Sequence, residues 1–211
     1  MGPMRLWFIL ALVFIMSVVG VITYYTKQQA IKNATPVTNG VASVTNLPST
    51  GSPQLGGHFT LIDQNGKKRN EESFNGKFQL IYFGYTFCPD ICPAALSTMT
   101  QALKMIGDKA ENVTPIFITV DPTRDTVAQL ASYAKNFHPN LVALSGSEQQ
   151  VKEAKQAFKV YSAKVDDKSS TDYLIDHSSI IYLMDRQGQF IAHFNHETAP
   201  TVIADALKKL I

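Results

Sequence analysis

The amino-acid sequence predicts an α/β fold in which parallel and antiparallel strands share one mixed sheet, with helices on both faces. Two short runs, FQLIYFGY at 78–85 and PIFITV at 115–120, are apolar on both faces, as buried central strands are. Each run is followed by a segment whose apolar residues recur at helical spacing. Two further strand-like runs flank DRQG at 185–188, which indicates a hairpin. A β-α-β unit followed by a hairpin gives a mixed sheet.

Composition excludes two classes of protein. Charged residues make up 17% of the 211-residue chain and hydrophobic residues 45%, so the chain is not a disordered polyelectrolyte. The net charge of +2 comes from Arg5 and Lys27, because the rest of the chain holds 17 basic and 17 acidic side chains. No basic field is available to bind a nucleic-acid backbone, and we therefore expect no nucleic-acid partner.

One transmembrane helix is predicted to precede the α/β fold. Residues 6–22 are apolar apart from Ser17 and Gly20, and about 20 such residues at ~1.5 Å each cross a hydrocarbon core about 30 Å thick. A cleavable signal peptide is the alternative, but its apolar region usually spans about 7–15 residues. We therefore expect an uncleaved anchor at residues 1–27. The flanking charges, Arg5 on one side and Lys27 with Lys32 on the other, do not set its orientation.

The segment after the anchor is predicted to be a flexible tether. Residues 28–56 are rich in Asn, Thr, Ser, Pro and Gly and show no apolar period. The globular pattern starts at residue 57, and the chain length suits one domain with appendages. The expected organisation is thus an anchor at 1–27, a tether at 28–56 and one domain at 57–211.

The first elements of the domain are a hairpin, a strand and a helix. Phe59–Asp63 reads as a strand closed by an Asn65-Gly66 turn. Phe78–Tyr85 follows as the central strand, and Pro93–Ile106 as a helix with four apolar residues on one face.

The later elements continue the alternation of strands and helices. In chain order they are a strand at 115–120, a helix at 127–137, a strand at 141–144, a helix at 148–158, hairpin strands at 179–184 and 189–194, and a helix at 201–210. This order matches a thioredoxin-like plan that carries an extra N-terminal hairpin and an inserted strand and helix.

The chain has two cysteines, Cys88 and Cys92, which lie where the central strand gives way to the next helix. Two cysteines are too few for a multi-disulfide scaffold or a four-cysteine zinc module. Pro93 suits the first helical position, which would leave Cys92 near the N-cap, where the helix dipole favours a thiolate. Two thiolates one turn apart can form a disulfide or bind one metal ion. A buried, inert pair is the alternative.

His177 is the candidate third ligand. Redox-active thioredoxins use C-x-x-C, whereas three residues separate the cysteines here, a spacing that suits metal binding. His177 precedes the predicted hairpin strand, and in a thioredoxin-like plan the loop entering that strand faces the cysteine loop. The remaining histidines are predicted to be surface or turn residues: His58, His138, His193 and His196.

Three motifs together resemble the Sco/SenC family. They are FGYTFCPDICP at 83–93, DPTRDT at 121–126 and DHSS at 176–179, and the resemblance runs from about Leu55 to the C-terminus. It implies a membrane-anchored copper protein with a thioredoxin-like fold, whose copper ligands are Cys88, Cys92 and His177. The family often has histidine immediately before the first cysteine, where this chain has Phe87.

The resemblance implies a copper chaperone that acts in cytochrome c oxidase assembly and delivers copper to the dinuclear copper site of oxidase subunit II. The upstream copper donor is not identified by the sequence. The alternative is a thiol-disulfide oxidoreductase that reduces the cysteines of that subunit, with Cys88 and Cys92 as a redox-active disulfide. The N-terminus lacks an Arg- and Ser-rich transit sequence, so we expect a bacterial inner-membrane protein whose domain lies in the periplasm.

Further residues near the candidate site are assigned no ligand role. Asp176 or Asp172 is a candidate to orient the His177 imidazole by binding the ring nitrogen that faces away from the metal. Arg124 and Asp125 follow a buried strand, and they are expected to form an ion pair that braces a loop near the site.

Overall fold

The computed structural model describes residues 55–165 and 173–211, with Val21 alone before them. The two longer ranges belong to one compact unit, Gly40–Ile211. The predicted anchor at 1–27 and tether at 28–56 thus lie almost entirely outside the described residues. Within the described part of the chain, no helix is both long enough and apolar enough to cross a membrane.

Within the part of the chain that the structure describes, nine strands form two sheets. In chain order the strands are β1 (Thr60–Asp63), β2 (Lys68–Asn70), β3 (Phe78–Gly84), β4 (Val113–Thr119), β5 (Val142–Ser145), β6 (Ser162–Val165), β7 (Leu174–His177), β8 (Ile180–Met184) and β9 (Phe190–Asn195). Seven of them form the main sheet in the order β2-β1-β5-β4-β3-β8-β9, and β6 and β7 pair as a separate two-stranded sheet.

The main sheet is mixed, as the sequence predicts. β3 runs parallel to β4, and β4 runs parallel to β5, whereas β8, β9, β1 and β2 pair antiparallel with their neighbours. All seven residues of β3 are buried, as expected for a strand that is apolar on both faces. Because β3 and β4 are parallel, the loops that follow them start at the same edge of the sheet.

In residues 55–165 and 173–211, four α-helices accompany the strands: α1 (Ile91–Ile106), α2 (Val127–Ala134), α3 (Glu148–Ala157) and α4 (Pro200–Lys208). α1 and α4 contact each other, α2 contacts β5, and α3 contacts β1. Thr126 and Ser147 cap α2 and α3 by accepting hydrogen bonds from amides of the first turn. α2 ends earlier than predicted because the chain after Ala134 tightens into i→i+3 hydrogen bonds.

The start of α1 also differs from the prediction. Asp90 is the N-cap, so Cys92 is the second helical residue and Pro93 the third. Proline is accepted there because amides of the first turn have no partner within the helix. The predicted assignment of Pro93 to the first helical position and of Cys92 to the N-cap region is therefore shifted by two residues.

The N-terminal hairpin forms as predicted. β1 and β2 pair antiparallel, and Gly66 in the turn has φ +77°, a conformation that suits glycine. Asp63, at the end of β1, is almost fully buried and accepts hydrogen bonds from the amides of Asn65 and Lys67. The other edge of β1 pairs with β5, which adds the hairpin to the main sheet.

Candidate metal centre

The structure brings Cys88, Cys92 and His177 together. One ligand atom from each residue, the two Sγ atoms and an imidazole nitrogen, lies within 4.8 Å of the others. The closest described contact joins Cys92 Sγ and His177 Nε2, which are 3.3 Å apart. Both cysteines are free thiols. Among the described residues, this is the one group of three or more Cys, His, Asp or Glu side chains arranged to hold a metal ion.

The cysteine loop is shaped by the end of β3 and the start of α1. The amide of Cys88 donates to the carbonyl of Tyr85, and the amide of Cys92 donates to Cys88 Sγ at 3.4 Å. Gly84 gives the loop room, because a Cβ at this position would lie 2.8 Å from Cys92 Sγ. Cys92 is fully buried, whereas Cys88 and His177 are half-buried, so the site opens to solvent on the side of Cys88.

His177 is held by β7 and by two tyrosines. Its Nδ1 faces the carbonyl of Ser178 at 3.3 Å, which leaves Nε2 towards the cysteines. The rings of Tyr82 and Tyr85 meet the imidazole edge-on, with centroids 6.0 and 5.9 Å away. The Tyr85 hydroxyl also accepts a hydrogen bond from the Ile175 amide at 3.2 Å, which fixes β7 against the end of β3.

The residues proposed to orient the imidazole are placed differently from the prediction. Asp176 is exposed, and the described contact of Nδ1 is the Ser178 carbonyl. Asp172 lies outside the described residues. A backbone carbonyl thus takes the position that was expected for a carboxylate, and it serves the same purpose of fixing which ring nitrogen faces the cysteines.

The two thiols have opposite acid–base properties. The hydrogen bond from Cys92 is the largest influence on the pKa of Cys88, and with contacts from His177 and nearby amides it outweighs burial, which alone would raise this pKa, so that the pKa is lowered to about 3. The same hydrogen bond and burial raise the pKa of Cys92. Thiolate character therefore belongs to the half-exposed Cys88 rather than to Cys92, which the sequence placed nearest the helix start.

A buried tyrosine contacts the inner sulfur. The Tyr82 hydroxyl donates to Cys92 Sγ at 3.9 Å, and the Tyr82 side chain is fully buried. Burial, followed by the neighbouring cysteines, raises the pKa of Tyr82, so its hydroxyl stays protonated and can donate. Periodicity cannot single out this residue, because Tyr82 lies in a strand whose residues are all buried.

The predicted ion pair between Arg124 and Asp125 is wrong. Arg124 pairs with Asp121 instead, three residues earlier. Asp125 is fully buried and accepts hydrogen bonds from the hydroxyls of Thr86 and Thr119 and from the Thr86 amide. Burial raises the pKa of Asp125. Asp125 therefore braces the cysteine loop through Thr86, as a hydrogen-bond acceptor rather than as an ion-pair partner.

Comparison with known proteins identifies relatives in sequence and in fold. The sequence profile of the SCO1/SenC family matches residues 48–211. A SCO2-like protein of Rickettsia felis is 44% identical over 156 residues, which are 74% of this chain and 76% of that protein. The structure of Bradyrhizobium japonicum ScoI with copper bound is 43% identical, with a TM-score of 0.69 over 74% of this chain and 99% of that one.

A more distant structure adds a second property. BsSco, described as a member of the Sco family of cytochrome c oxidase assembly proteins in which a disulfide switch was identified, is 28% identical. Its TM-score is 0.57, and the alignment covers 77% of this chain and 96% of that one. Copper binding and disulfide chemistry are thus both attached to proteins that share this fold.

Proposed function

The chain belongs to the SCO1/SenC family, as its three motifs predict, and we propose that it is a copper chaperone that binds copper through Cys88, Cys92 and His177. The observation that carries the proposal is the convergence of two sulfurs and one imidazole nitrogen within 4.8 Å. This donor set fits copper, because Cu(I) is soft and prefers thiolates, while a mixed sulfur and nitrogen set also suits Cu(II).

The exposure of the site supports transfer as well as binding. Cys88 and His177 are half-buried, so a partner's ligands can reach a bound ion from solvent, while the buried Cys92 holds it from within. We propose cytochrome c oxidase subunit II, at its dinuclear copper site, as the acceptor. The description of BsSco as an oxidase assembly protein supports this assignment.

The proposed location is the bacterial inner membrane, with a single N-terminal anchor and the copper domain in the periplasm. The apolar residues 6–22 and the polar segment that follows them support an anchor and a tether. Similarity to proteins of Rickettsia felis and Bradyrhizobium japonicum supports a bacterial setting.

The test of the copper site is His177→Ala in the full chain, purified in detergent micelles, reduced and titrated with Cu(II) and with Cu(I). We expect Cu(II) affinity to fall by more than the ~10–100-fold that is typical when a residue that orients a metal ligand is removed. The affinity for Cu(I) should fall less, because two thiolates alone can bind this ion. The matched control is His193→Ala, since His193 is an exposed histidine of β9.

Two results decide this test. Cys88→Ser and Cys92→Ser should each abolish copper binding and the disulfide. If His177→Ala retained Cu(II) affinity and the sulfur-to-copper absorption band of the unmodified protein, His177 would not be a ligand.

A second function, thiol-disulfide oxidoreduction, is favoured by the unequal thiols. The Cys88 thiolate can attack a substrate disulfide, forming a mixed disulfide and releasing one substrate thiolate. Cys92 then loses its proton, attacks the Cys88 sulfur and releases the second substrate thiol. Two electrons pass to the substrate, and the protein retains a Cys88–Cys92 disulfide. His177→Ala separates the functions, because it should weaken copper binding much more than it slows reduction of an oxidised two-cysteine peptide.

A further inference from the structure

Arg124 contacts both segments that carry the proposed copper ligands, and we infer that its guanidinium positions these segments relative to each other. The guanidinium carbon lies 4.8 Å from the centroid of the Phe87 ring and 3.8 Å from that of the Tyr173 ring. Phe87 immediately precedes Cys88, and Tyr173 immediately precedes β7, the strand that ends at His177. One side chain thus links the cysteine loop to the histidine strand.

Polar contacts fix the orientation of this guanidinium. Arg124 Nη1 donates to the carbonyl of Tyr173 at 3.0 Å, and Nε forms the ion pair with Asp121. The Tyr173 hydroxyl donates to Asp121 Oδ1 at 2.8 Å, which closes a ring of three residues. The side chains of Arg124 and Asp121 are only 14% and 1% exposed, so the charged contacts are shielded from solvent.

A third aromatic ring extends the contact to the imidazole. The guanidinium carbon is 5.6 Å from the centroid of the Tyr85 ring, and the same ring meets His177 edge-on at 5.9 Å. Because the Tyr85 hydroxyl accepts the Ile175 amide, Tyr85 is tied to β7 at both its ring and its oxygen. Arg124 therefore acts on His177 through Tyr85 and Tyr173, and on Cys88 through Phe87.

This position requires arginine rather than any cation. A planar guanidinium can stack on aromatic rings with its faces while its edge donates hydrogen bonds, whereas a lysine ammonium is a compact point charge. The need for such a link follows from the topology, because the cysteine loop leaves the main sheet while β7 belongs to the two-stranded sheet. Arg124 is thus a positioning residue, which acts on the proposed ligands through Phe87, Tyr85 and Tyr173.

The consequence for copper rests on the proposed function. Residues that orient metal ligands typically cost about 10–100-fold in affinity when they are removed. We expect Arg124→Met, in the full chain in detergent micelles, to weaken Cu(II) binding by a factor in this range and to alter the sulfur-to-copper absorption band. Arg124→Lys keeps the charge but loses the planar stack. Its Cu(II) affinity should therefore lie between that of Arg124→Met and that of the unmodified protein.

The chain offers a matched control at the opposite end of β3. Arg186 lies over the Phe78 ring at 5.2 Å and donates to the carbonyl of Gly76, so it makes the same two kinds of contact far from the cysteines. Arg186→Met should reduce stability without changing copper affinity or the absorption band. If Arg124→Met and Arg186→Met lost copper affinity equally, general destabilisation would explain the loss, and the inference would be overturned.

An experiment on the copper-free protein tests the positioning role of Arg124 separately from the proposed function. In the reduced, copper-free protein, Arg124→Met should accelerate amide hydrogen exchange in both segments, 86–92 and 174–178, whereas Arg186→Met should leave both unchanged. If the unmodified protein bound no copper while this exchange pattern appeared, the proposed function would fail and the positioning role would stand. Unchanged exchange in both segments, or an Arg124→Lys protein identical to the unmodified one in both assays, would overturn the positioning role.

Discussion

At the scale of single residues, the two cysteines of the site are chemically unequal because of where they lie. Cys88 is half-exposed and its pKa is lowered to about 3, while Cys92 is buried under the Tyr82 hydroxyl and its pKa is raised. An incoming copper ion or substrate disulfide therefore meets Cys88 first. This order of contact is common to copper transfer and to thiol-disulfide exchange, which explains how one site supports both proposals.

The buried carboxylate of Asp63 gives a prediction about pH. Burial on its own raises the pKa of Asp63, but hydrogen bonds from the Lys67 amide, the Arg69 side chain and the Asn65 amide outweigh it, and the pKa lies below its usual value. A lowered pKa contributes stability above the unfolded value of about 3.9, and this stability is lost as pH falls through the folded pKa. Asp63→Asn should cost about 1–3 kcal/mol in the free energy of unfolding at pH 7.

Urea unfolding at pH 7 and at pH 3 measures this effect. The difference between Asp63→Asn and the unmodified protein should narrow at the lower pH, because the carboxylate of the unmodified protein is then being protonated. Asp185 is the control: it accepts the amides of Gln187 and Gln189 in the β8–β9 turn, but it is less buried, and Asp185→Asn should cost less. A pH-independent difference for Asp63→Asn would contradict the role of its charge.

At the scale of elements, the sequence predicted the strands and helices that carry long apolar patterns, and it missed short strands that carry none. β3, β4 and α1 carry long periodic or continuous apolar patterns, and the structure contains each of them within two residues of the predicted bounds. The sheet formed by β6 and β7 was missed, because SAKV and LIDH are short, mix charged with apolar residues and are half-exposed.

The three candidate ligands of the site could be predicted from the sequence, but the residues that hold them in position could not. Both cysteines lie within one loop, and the entry to the β8–β9 hairpin points to His177, so spacing and topology are enough to group them. Arg124 contacts residues 37 and 49 positions away in sequence, Phe87 and Tyr173, and no local pattern predicts such contacts. The sequence predicted an ion pair between Arg124 and Asp125, the next residue, whereas Arg124 pairs with Asp121, three residues earlier.

The link between the cysteine loop and the loop after β4 gives an element-scale prediction. The Thr86 hydroxyl donates to Asp125 Oδ1 at 2.6 Å and accepts from Gln129 Nε2 at 3.0 Å. Thr86→Val keeps the shape but removes the hydroxyl, and it should lower the free energy of unfolding by about 1–3 kcal/mol, because the buried carboxyl loses a donor. Thr86→Ser retains the hydroxyl and should lose less. Urea unfolding of the copper-free protein measures both variants, and a Thr86→Val protein as stable as the unmodified one would contradict the role of the hydrogen bond.

At the scale of the whole molecule, the site depends on two sheets meeting at one edge. The parallel strands β3 and β4 deliver the cysteine loop and the Arg124 loop to the same edge of the main sheet, and β7 brings His177 to it from the smaller sheet. Tyr82 lies in β3, Thr86 in the loop that follows it, and Asp125 in the loop that follows β4. The position of the proposed copper ligands is therefore a property of the complete domain rather than of the CPDIC motif alone.

This dependence predicts where the independently folding unit begins. Among the described residues, the buried hydrophobic core runs from Phe59 to Leu207, so residues 51–211 should fold without the preceding segment. Under reducing conditions, they should give one cooperative thermal transition, within about 4 °C of that of the full chain in detergent, a shift that corresponds to roughly 1 kcal/mol at this size. Residues 64–211 are the control: they lack β1, which supplies the buried Leu61 and Asp63 and pairs with β5, and they should unfold at a much lower temperature. Aggregated or unfolded material from residues 51–211 would mean that the N-terminal segment contributes to the fold.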